Sequence, residues 1–143
     1  LTMNNKTQPM IAGVVLCGGH SRRMGTSKAQ LPFGDETMLE RVVRILRQVV
    51  SPIVVVTSSN SPAPPMPDHV LVTQDRKPDQ GPLEGIRMGL QAVSSVADAA
   101  YVTGCDVPLL VPDFIQTLID QLQQTDVAVA SEDGFLHPHR LTI

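Results

Sequence analysis

The residues best suited to chemistry lie in one short segment, from Leu16 to Lys28, which reads LCGGHSRRMGTSK. Its glycines allow the backbone to turn sharply, so that amide N–H groups can point at the oxygens of a bound anion. Its arginines and its lysine add positive charge where a polyphosphate would bind. Three glycines, two arginines and a lysine within thirteen residues therefore predict an anion site.

Two well-known phosphate loops do not fit this segment. A Walker A loop has its lysine directly after the last glycine, whereas here Thr26 and Ser27 separate the last glycine from Lys28. A Rossmann fingerprint has the pattern G-x-G-x-x-G, whereas Gly18 and Gly19 are adjacent. The remaining alternative is a flexible glycine-rich turn with solvated arginines, which would explain the adjacent glycines but not the whole segment.

A second candidate for chemistry is Asp106, in the segment Thr103–Leu109 (TGCDVPL). It follows an apolar run, where a carboxylate is costly to bury unless it has a partner. A Mg²⁺ ion held by one or two carboxylates and by substrate phosphates is such a partner. A helix N-cap is the competing interpretation, but the next predicted helix begins several residues later, near Pro112. We therefore predict that Asp106 is a metal ligand.

The elements that must position these residues follow an alternating strand and helix pattern, which is typical of parallel βαβ units. Thr37 and Glu40 have the spacing of a capping box. The predicted fold is a three-layer, doubly wound α/β domain with a mostly parallel sheet, which binds ligands at the carboxyl ends of its strands. The predicted strands are Met10–Leu16, Ile53–Thr57, Val70–Thr73, Ala99–Gly104 and Val127–Ala130, and the predicted helices run from about Met38 to Val50 and begin near Pro82 and near Pro112.

Composition limits the classes of function. A chain of 143 residues with 42% hydrophobic residues suits one globular domain, which we place at residues 10–143 after a disordered tail at 1–9. The net charge of −3, the lack of a basic stripe and the 3% aromatic content argue against nucleic acid as a partner. No apolar run approaches the roughly 18–20 residues of a membrane span. Cys17 and Cys105 are expected to be reduced packing residues in a cytoplasmic protein.

The segment from Leu16 to Lys28 resembles the L-x-G-G-x-S-x-R-M-G-x-x-K signature of the nucleotidyltransferases that complete the molybdenum cofactor, and the continuation KAQLPFG is similar too. Two further segments match the family in order, Gln80–Ile86 (QGPLEGI) and Thr103–Leu109, so the resemblance spans about residues 11–138. The chain thus resembles the molybdenum cofactor guanylyltransferases. These belong to the glycosyltransferase-A-like nucleotidyltransferase superfamily and have a nucleotide-diphospho-sugar transferase-like fold.

The resemblance implies an enzyme that transfers GMP from GTP to a molybdopterin-type phosphate acceptor and releases pyrophosphate. It implies Arg23, Lys28 and Asp106 as catalytic residues, with Mg²⁺ as the cofactor at Asp106. Asp75 and the Gly81–Leu83 turn would contact the guanosine part, and molybdoenzyme maturation proteins would be transient partners. The full set of nucleotide-binding residues implied is Leu16, Cys17, Gly18, Gly19, Lys28, Thr57, Asp75, Gly81, Pro82, Leu83 and Asp106.

Two alternatives stay open. One is another enzyme of the superfamily, a cytidylyltransferase or a sugar-phosphate nucleotidyltransferase, although the glycine pair and the G-P-L turn favour guanine. The other is an inactive nucleotide-binding module. Relatives often have Asp where this chain has Ser27, and they continue beyond the pair His137-Pro138, so we expect the C-terminal part of the domain to be missing.

Overall fold

A computed structural model of the chain describes residues 8–18, 27–77, 80–122, 125–132 and 135–142. Every predicted strand and helix is present, with ends that shift by a few residues. The strands are β1 (Ile11–Cys17), β2 (Pro32–Phe33), β3 (Glu36–Thr37), β4 (Ile53–Ser58), β5 (Val70–Asp75), β6 (Ala99–Gly104), β7 (Ala128–Glu132) and β8 (Phe135–Thr142). The helices are α1 (Met38–Leu46), α2 (Pro82–Val93) and α3 (Pro112–Gln121), and a short 3-10 helix covers Lys28–Gln30.

Six of these strands form one sheet in the order β5-β4-β1-β6-β8-β7. Strand β1 runs parallel to β4 and β6, and β4 runs parallel to β5, whereas β8 is antiparallel to both β6 and β7. The carboxyl ends of β1, β4, β5 and β6 therefore meet at one edge, which we call the carboxyl edge. The predicted mostly parallel, doubly wound sheet is confirmed.

Both faces of the central strands are covered, which explains why their sequences are almost continuously apolar. Val15 and Cys17 of β1 pack in a core cluster with the apolar faces of α1 and α3. Ala12 and Val14, which alternate with them, pack in a second cluster with Ile86 of α2. The three layers are therefore α1 with α3, the sheet, and α2.

Two predictions about α1 had different outcomes. The capping box is present, because the Thr37 hydroxyl accepts from the Glu40 amide at 3.2 Å and the Glu40 carboxylate accepts from the Thr37 amide at 2.7 Å. The helix end was predicted too late, since α1 ends at Leu46 rather than at Val50. Over residues 47–49 the chain forms tighter turns, because the Gln48 and Val49 amides donate to the Ile45 and Leu46 carbonyls, three rather than four residues back.

The 3-10 helix at Lys28–Gln30 and strands β2, β3 and β8 were not predicted. Strands β2 and β3 form an antiparallel hairpin directly before α1. Strand β8 lies between β6 and β7, so the sheet is mixed at this side. No helix within the described ranges is long and apolar enough to span a membrane.

Helix α2 approaches the sheet closely through two glycines on one face, four residues apart. A Cβ atom at Gly89 would overlap Cγ1 of Val14 and would lie 3.1 Å from Cγ2 of Val56. A Cβ atom at Gly85 would lie 3.3 Å from Cδ2 of Leu16, the end of a half-buried side chain. The glycines thus set the height of α2 above β1 and β4, and with it the position of the N-terminus of α2.

We expect Gly89→Ala to lower the free energy of unfolding by about 1–2 kcal/mol, because crowding Val14 outweighs the better helix propensity of alanine. Urea unfolding followed by circular dichroism measures this change. Gly85→Ala is the matched control and should change the free energy by less than about 1 kcal/mol, since Leu16 can yield. Equal effects of the two substitutions would contradict this account of the packing.

Candidate functional site

The carboxyl edge collects most of the residues that the sequence singled out. Cys17 at the end of β1 pairs in register with Thr57 of β4, and Ser58 pairs with Asp75 at the end of β5. On the other side, Leu16 pairs with Gly104 at the end of β6, two residues before Asp106. The sheet register therefore brings four separate segments of the sequence, the ends of β1, β4, β5 and β6, to one place.

The ion pair between Lys28 and Asp106 is the main charged contact at this edge. Lys28 Nζ lies 3.1 Å from Asp106 Oδ2, and the two side chains are 52% and 46% exposed. An exposed pair of this kind contributes at most about 1 kcal/mol to stability. Its significance is its position, because a cation and a carboxylate from two distant motifs stand together where solvent and ligands can reach them.

The segment that begins with Lys28 is fixed by packing and by the hairpin. Ala29 lies in the core between α1 and the sheet, only 2% exposed. The Leu31 carbonyl accepts a hydrogen bond from the amide of Met38, the first residue of α1, at 2.9 Å. Lys28 therefore extends from an anchored backbone into the open space at the carboxyl edge.

Asp106 is positioned by the end of β6. The Cys105 amide donates to the Leu16 carbonyl at 3.1 Å, which continues the pairing of β1 with β6 past the last strand residue. A Cβ atom at Gly104 would lie only 2.7 Å from Asp106 Oδ1, so the absence of a side chain lets the carboxylate fold back over the strand end. Gly104 thus serves the geometry of Asp106.

The carboxylate of Asp106 fits a divalent cation that binds together with a phosphate-containing molecule. Among the residues that the structure describes, no group of three or more His, Cys, Asp or Glu side chains could hold a metal ion. An ion at Asp106 would therefore have this one carboxylate as its ligand from the described residues. Mg²⁺ is often bound by one or two carboxylates together with substrate phosphates and water, so one exposed carboxylate suffices if phosphates supply further oxygens.

Asp75 and Thr57 lie at the same edge but are less open. Asp75 is 8% exposed, and its Oδ1 accepts from the Lys77 amide at 2.7 Å, so one carboxylate oxygen shapes the turn after β5. Thr57 is 1% exposed, and its hydroxyl is 3.4 Å from the Thr73 carbonyl, to which it donates. Because this fraction counts backbone and side chain together, Thr57 presents almost no surface to a ligand in this structure.

The turn into α2 supplies a different kind of surface. Gly81 is the N-cap with a φ of +74°, a conformation that glycine adopts without strain, and Pro82 begins the helix. The first amides of a helix have no partner within it and carry partial positive charge. Leu83 is 75% exposed beside them, so this turn offers polar amides and an apolar side chain to a ligand.

Cys17 and Cys105 are free thiols in the core beneath the edge, 8% and 7% exposed. A hydrogen bond from Cys17 to Cys105 raises the pKa of Cys17, and burial raises it further. The same hydrogen bond lowers the pKa of Cys105. Both side chains fill space between the strand ends and α1, as expected of packing residues.

The structure adds one residue that the sequence did not reveal. Arg41 of α1 donates from Nε to the Pro108 carbonyl at 2.6 Å, two residues after Asp106, and from Nη1 to the Glu36 carboxylate at 3.2 Å. In the sequence, Arg41 is one of several charged residues on an amphipathic helix, and no pattern marks it. Gly19 and Arg23 of the predicted site lie outside the described residues.

Comparison with known proteins gives a consistent family. Residues 13–142 match the family described as MobA-like NTP transferase domain. A protein from Mycobacterium tuberculosis named probable molybdenum cofactor guanylyltransferase is 40% identical over 122 residues, which cover 83% of this chain and 60% of that protein. A protein of the same name from Mycobacterium avium is 39% identical over 131 residues, covering 89% of this chain and 66% of that protein. The chain thus spans about 60% of the length of the first of these relatives.

Solved structures agree on the fold. The crystal structure of Rv0371c from Mycobacterium tuberculosis matches with a TM-score of 0.78 at 25% identity, covering 96% of this chain and 72% of that one. A structure of the same protein in complex with manganese gives 0.68 at 23%, covering 94% and 70%. Molybdopterin-guanine dinucleotide biosynthesis protein A from Archaeoglobus fulgidus gives 0.67 at 19%, covering 92% and 66%. These likenesses confirm the nucleotide-diphospho-sugar transferase-like fold.

The thiol pair allows a test of the geometry beneath the site. Because its pKa is raised, Cys17 should remain protonated at about pH 8.5, where an ordinary cysteine ionises, and should react slowly with iodoacetamide. We expect Cys105 to be alkylated before Cys17 in the native protein, and both to react at similar rates in urea. Peptide mass spectrometry measures the order, and faster alkylation of Cys17 would show that the described hydrogen bond is wrong.

Proposed function

The chain belongs to the MobA-like NTP transferase domain family, and from this premise we propose that it is the nucleotide-binding part of a molybdenum cofactor guanylyltransferase. The proposed reaction transfers GMP from GTP to the terminal phosphate of a molybdopterin-type acceptor. The acceptor oxygen forms a bond to the α-phosphorus of GTP, the bond between the α-phosphorus and the bridging oxygen breaks, and pyrophosphate leaves.

The observation that carries this proposal is the Lys28–Asp106 pair at the carboxyl edge. A triphosphate needs a cation for its oxygens, and a divalent ion needs at least one hard oxygen ligand from the protein. The pair places one of each within 3.1 Å, both partly exposed and both from the family signature. When a nucleotide binds, Lys28 can exchange the Asp106 carboxylate for phosphate oxygens, and Asp106 can exchange the Lys28 ammonium for a divalent cation.

The roles at the phosphate end follow from these groups. Lys28 would bind phosphate oxygens, together with the amides after β1 and, outside the described residues, Gly19 and Arg23. Asp106 would hold Mg²⁺, which when bound neutralises phosphate charge and polarises the α-phosphate. The manganese complex of Rv0371c from Mycobacterium tuberculosis, which shares this fold, supports a divalent ion. The acceptor phosphate is already an anion, so the mechanism needs alignment and charge neutralisation rather than a general base.

The nucleoside end would lie toward β5 and α2. The Gly81–Leu83 turn presents helix amides and the exposed Leu83 side chain, which suit the polar edge and the flat face of a purine. Asp75 stands at the neighbouring strand end, whereas the buried Thr57 would support this end from within the sheet. The two free thiols are those of a reducing compartment and support a cytoplasmic location.

Removal of Lys28 tests the phosphate contact. We expect Lys28→Ala to weaken GTP binding in Mg²⁺ by about tenfold or more, because a charge-assisted contact is lost. Arg47→Ala is the matched control, since it removes another surface cation beside the amino ends of β1 and β6. Isothermal titration calorimetry measures both variants, and CTP should bind the unmodified protein much more weakly than GTP.

Equal weakening by Lys28→Ala and Arg47→Ala would mean that only overall charge matters at this edge. A preference for CTP would assign the chain to the cytidylyltransferases instead.

Removal of the Asp106 charge tests the metal role. In the unmodified protein, Mg²⁺ should strengthen GTP binding, and EDTA should reverse the gain. We expect Asp106→Asn to lose this dependence on Mg²⁺ while it keeps GTP binding in EDTA within about threefold, because the substitution preserves shape and removes the anionic ligand. Titrations with and without Mg²⁺ provide the comparison, and an unchanged Mg²⁺ dependence in the variant would exclude Asp106 as the ligand.

A further inference from the structure

Arg41 joins two parts of the site that the sequence keeps apart. On one side, its Nη1 donates to Glu36 of the β2–β3 hairpin at 3.2 Å, and its Cζ lies 4.8 Å above the centre of the Phe33 ring. On the other side, its Nε donates to the Pro108 carbonyl at 2.6 Å. The hairpin follows Lys28 in the chain, and Pro108 follows Asp106, so one guanidinium contacts the continuation of both segments.

We propose that Arg41 is a positioning residue. It holds the Asp106 loop, residues 105–111, against the hairpin and so sets the distance between Asp106 and Lys28. The effect that we expect on nucleotide binding rests on the proposed function. The contacts of Arg41 do not depend on that function. The described hydrogen bonds and ion pairs of Arg41 are to Pro108 and Glu36 rather than to Lys28 or Asp106, so its effect on the site is indirect.

Besides the Asp106 bond to Lys28 and the packing of Val107 against the core, the loop is fixed at its two ends. The Cys105 amide is bonded to the β1 backbone, and Leu110 is buried in the core. Between them the Leu110 amide closes a turn onto the Val107 carbonyl at 3.1 Å, which is a bond within the loop itself. Lys28 bonds to the Asp106 side chain, which it would release to a ligand, whereas Arg41 bonds to the loop backbone itself, at the Pro108 carbonyl.

The chemistry of arginine suits this role better than that of lysine. A planar guanidinium can donate to a carbonyl and to a carboxylate at once while its face rests on an aromatic ring. The Arg41 side chain is 30% exposed, so these contacts are partly shielded from solvent. The ammonium group of a lysine, on its flexible side chain, could make one of the two hydrogen bonds well, but it could not bridge the loop and the hairpin at the same time.

Arg44 provides a matched control on the same helix. It donates to Glu36 at 2.6 Å and 3.0 Å, so it forms the more complete ion pair with the same carboxylate. Its side chain is 54% exposed, and its described bonds do not reach the Asp106 loop. Arg44→Ala and Arg41→Ala therefore both remove an ion pair to Glu36, and only Arg41→Ala removes the bond to Pro108.

The first readout needs no ligand. Cys105 stands at the start of the loop and is 7% exposed, so its alkylation by iodoacetamide reports opening of the loop. We expect Arg41→Ala to speed alkylation of Cys105 by about tenfold, with Arg44→Ala within about twofold of the unmodified protein and Arg41→Lys between them. Equal rates in all four proteins would overturn the proposal.

The second readout is binding of GTP with Mg²⁺ by calorimetry. Arg41→Ala should lose most of the gain in GTP affinity that Mg²⁺ gives, about tenfold, while binding in EDTA and the urea midpoint stay close to those of Arg44→Ala. If Arg41→Ala does not fold, Arg41→Lys decides by the same two readouts. Failure of the unmodified protein to bind GTP would overturn the proposed function, whereas normal Mg²⁺-linked binding by Arg41→Ala would overturn this inference alone.

Discussion

One constraint governs the site: Lys28 and Asp106, 78 positions apart in the chain, must lie side by side, and in this structure Lys28 Nζ is 3.1 Å from Asp106 Oδ2. Local sequence cannot provide this proximity, so the sheet has to. The register of β1 against β6 sets Leu16 opposite Gly104, and the bond from the Cys105 amide to the Leu16 carbonyl extends that register into the loop. The chain therefore leaves β1 and β6 side by side, with Gly18 after one strand and Cys105 after the other.

The layers around the sheet serve the same constraint. Apolar packing on both faces of β1 holds that strand in place between the helices. The close approach of α2 over Val14 brings the Gly81 turn to the same edge. Helix α1 anchors the segment after Lys28 through the hairpin and the capping box at Thr37. A small exposed ion pair with little intrinsic stability thus depends on a large buried framework.

Much of this framework could be predicted because its signals are local. Runs of β-branched residues marked β1, β4, β5 and β6, and the spacing of Thr37 and Glu40 marked the start of α1. Asp106 could be placed at a strand end because a carboxylate after an apolar run is unusual. These signals depend on neighbouring residues or on residues a few positions apart, and the structure retains them.

The features that escaped prediction depend on tertiary contacts. Strand β8 contains Pro138 and charged or polar residues, so its sequence lacks the apolar run of a buried parallel strand, and only its antiparallel neighbours make it a strand. The hairpin strands have two residues each, too short for any periodicity. The Arg41 and Pro108 positions are 67 residues apart in the chain, and no sequence pattern near either residue predicts their contact.

The most direct test of the central claim is transfer of label from GTP. The chain would be incubated with Mg²⁺, a molybdopterin acceptor and GTP labelled on its α-phosphate, and the label would be followed by chromatography. We expect the label to move to the acceptor as GMP, with one pyrophosphate released for each transfer. Labelled CTP should give no such transfer. If GTP binds but its label stays in GTP, the carboxyl edge holds a nucleotide without transferring it, and the account is wrong.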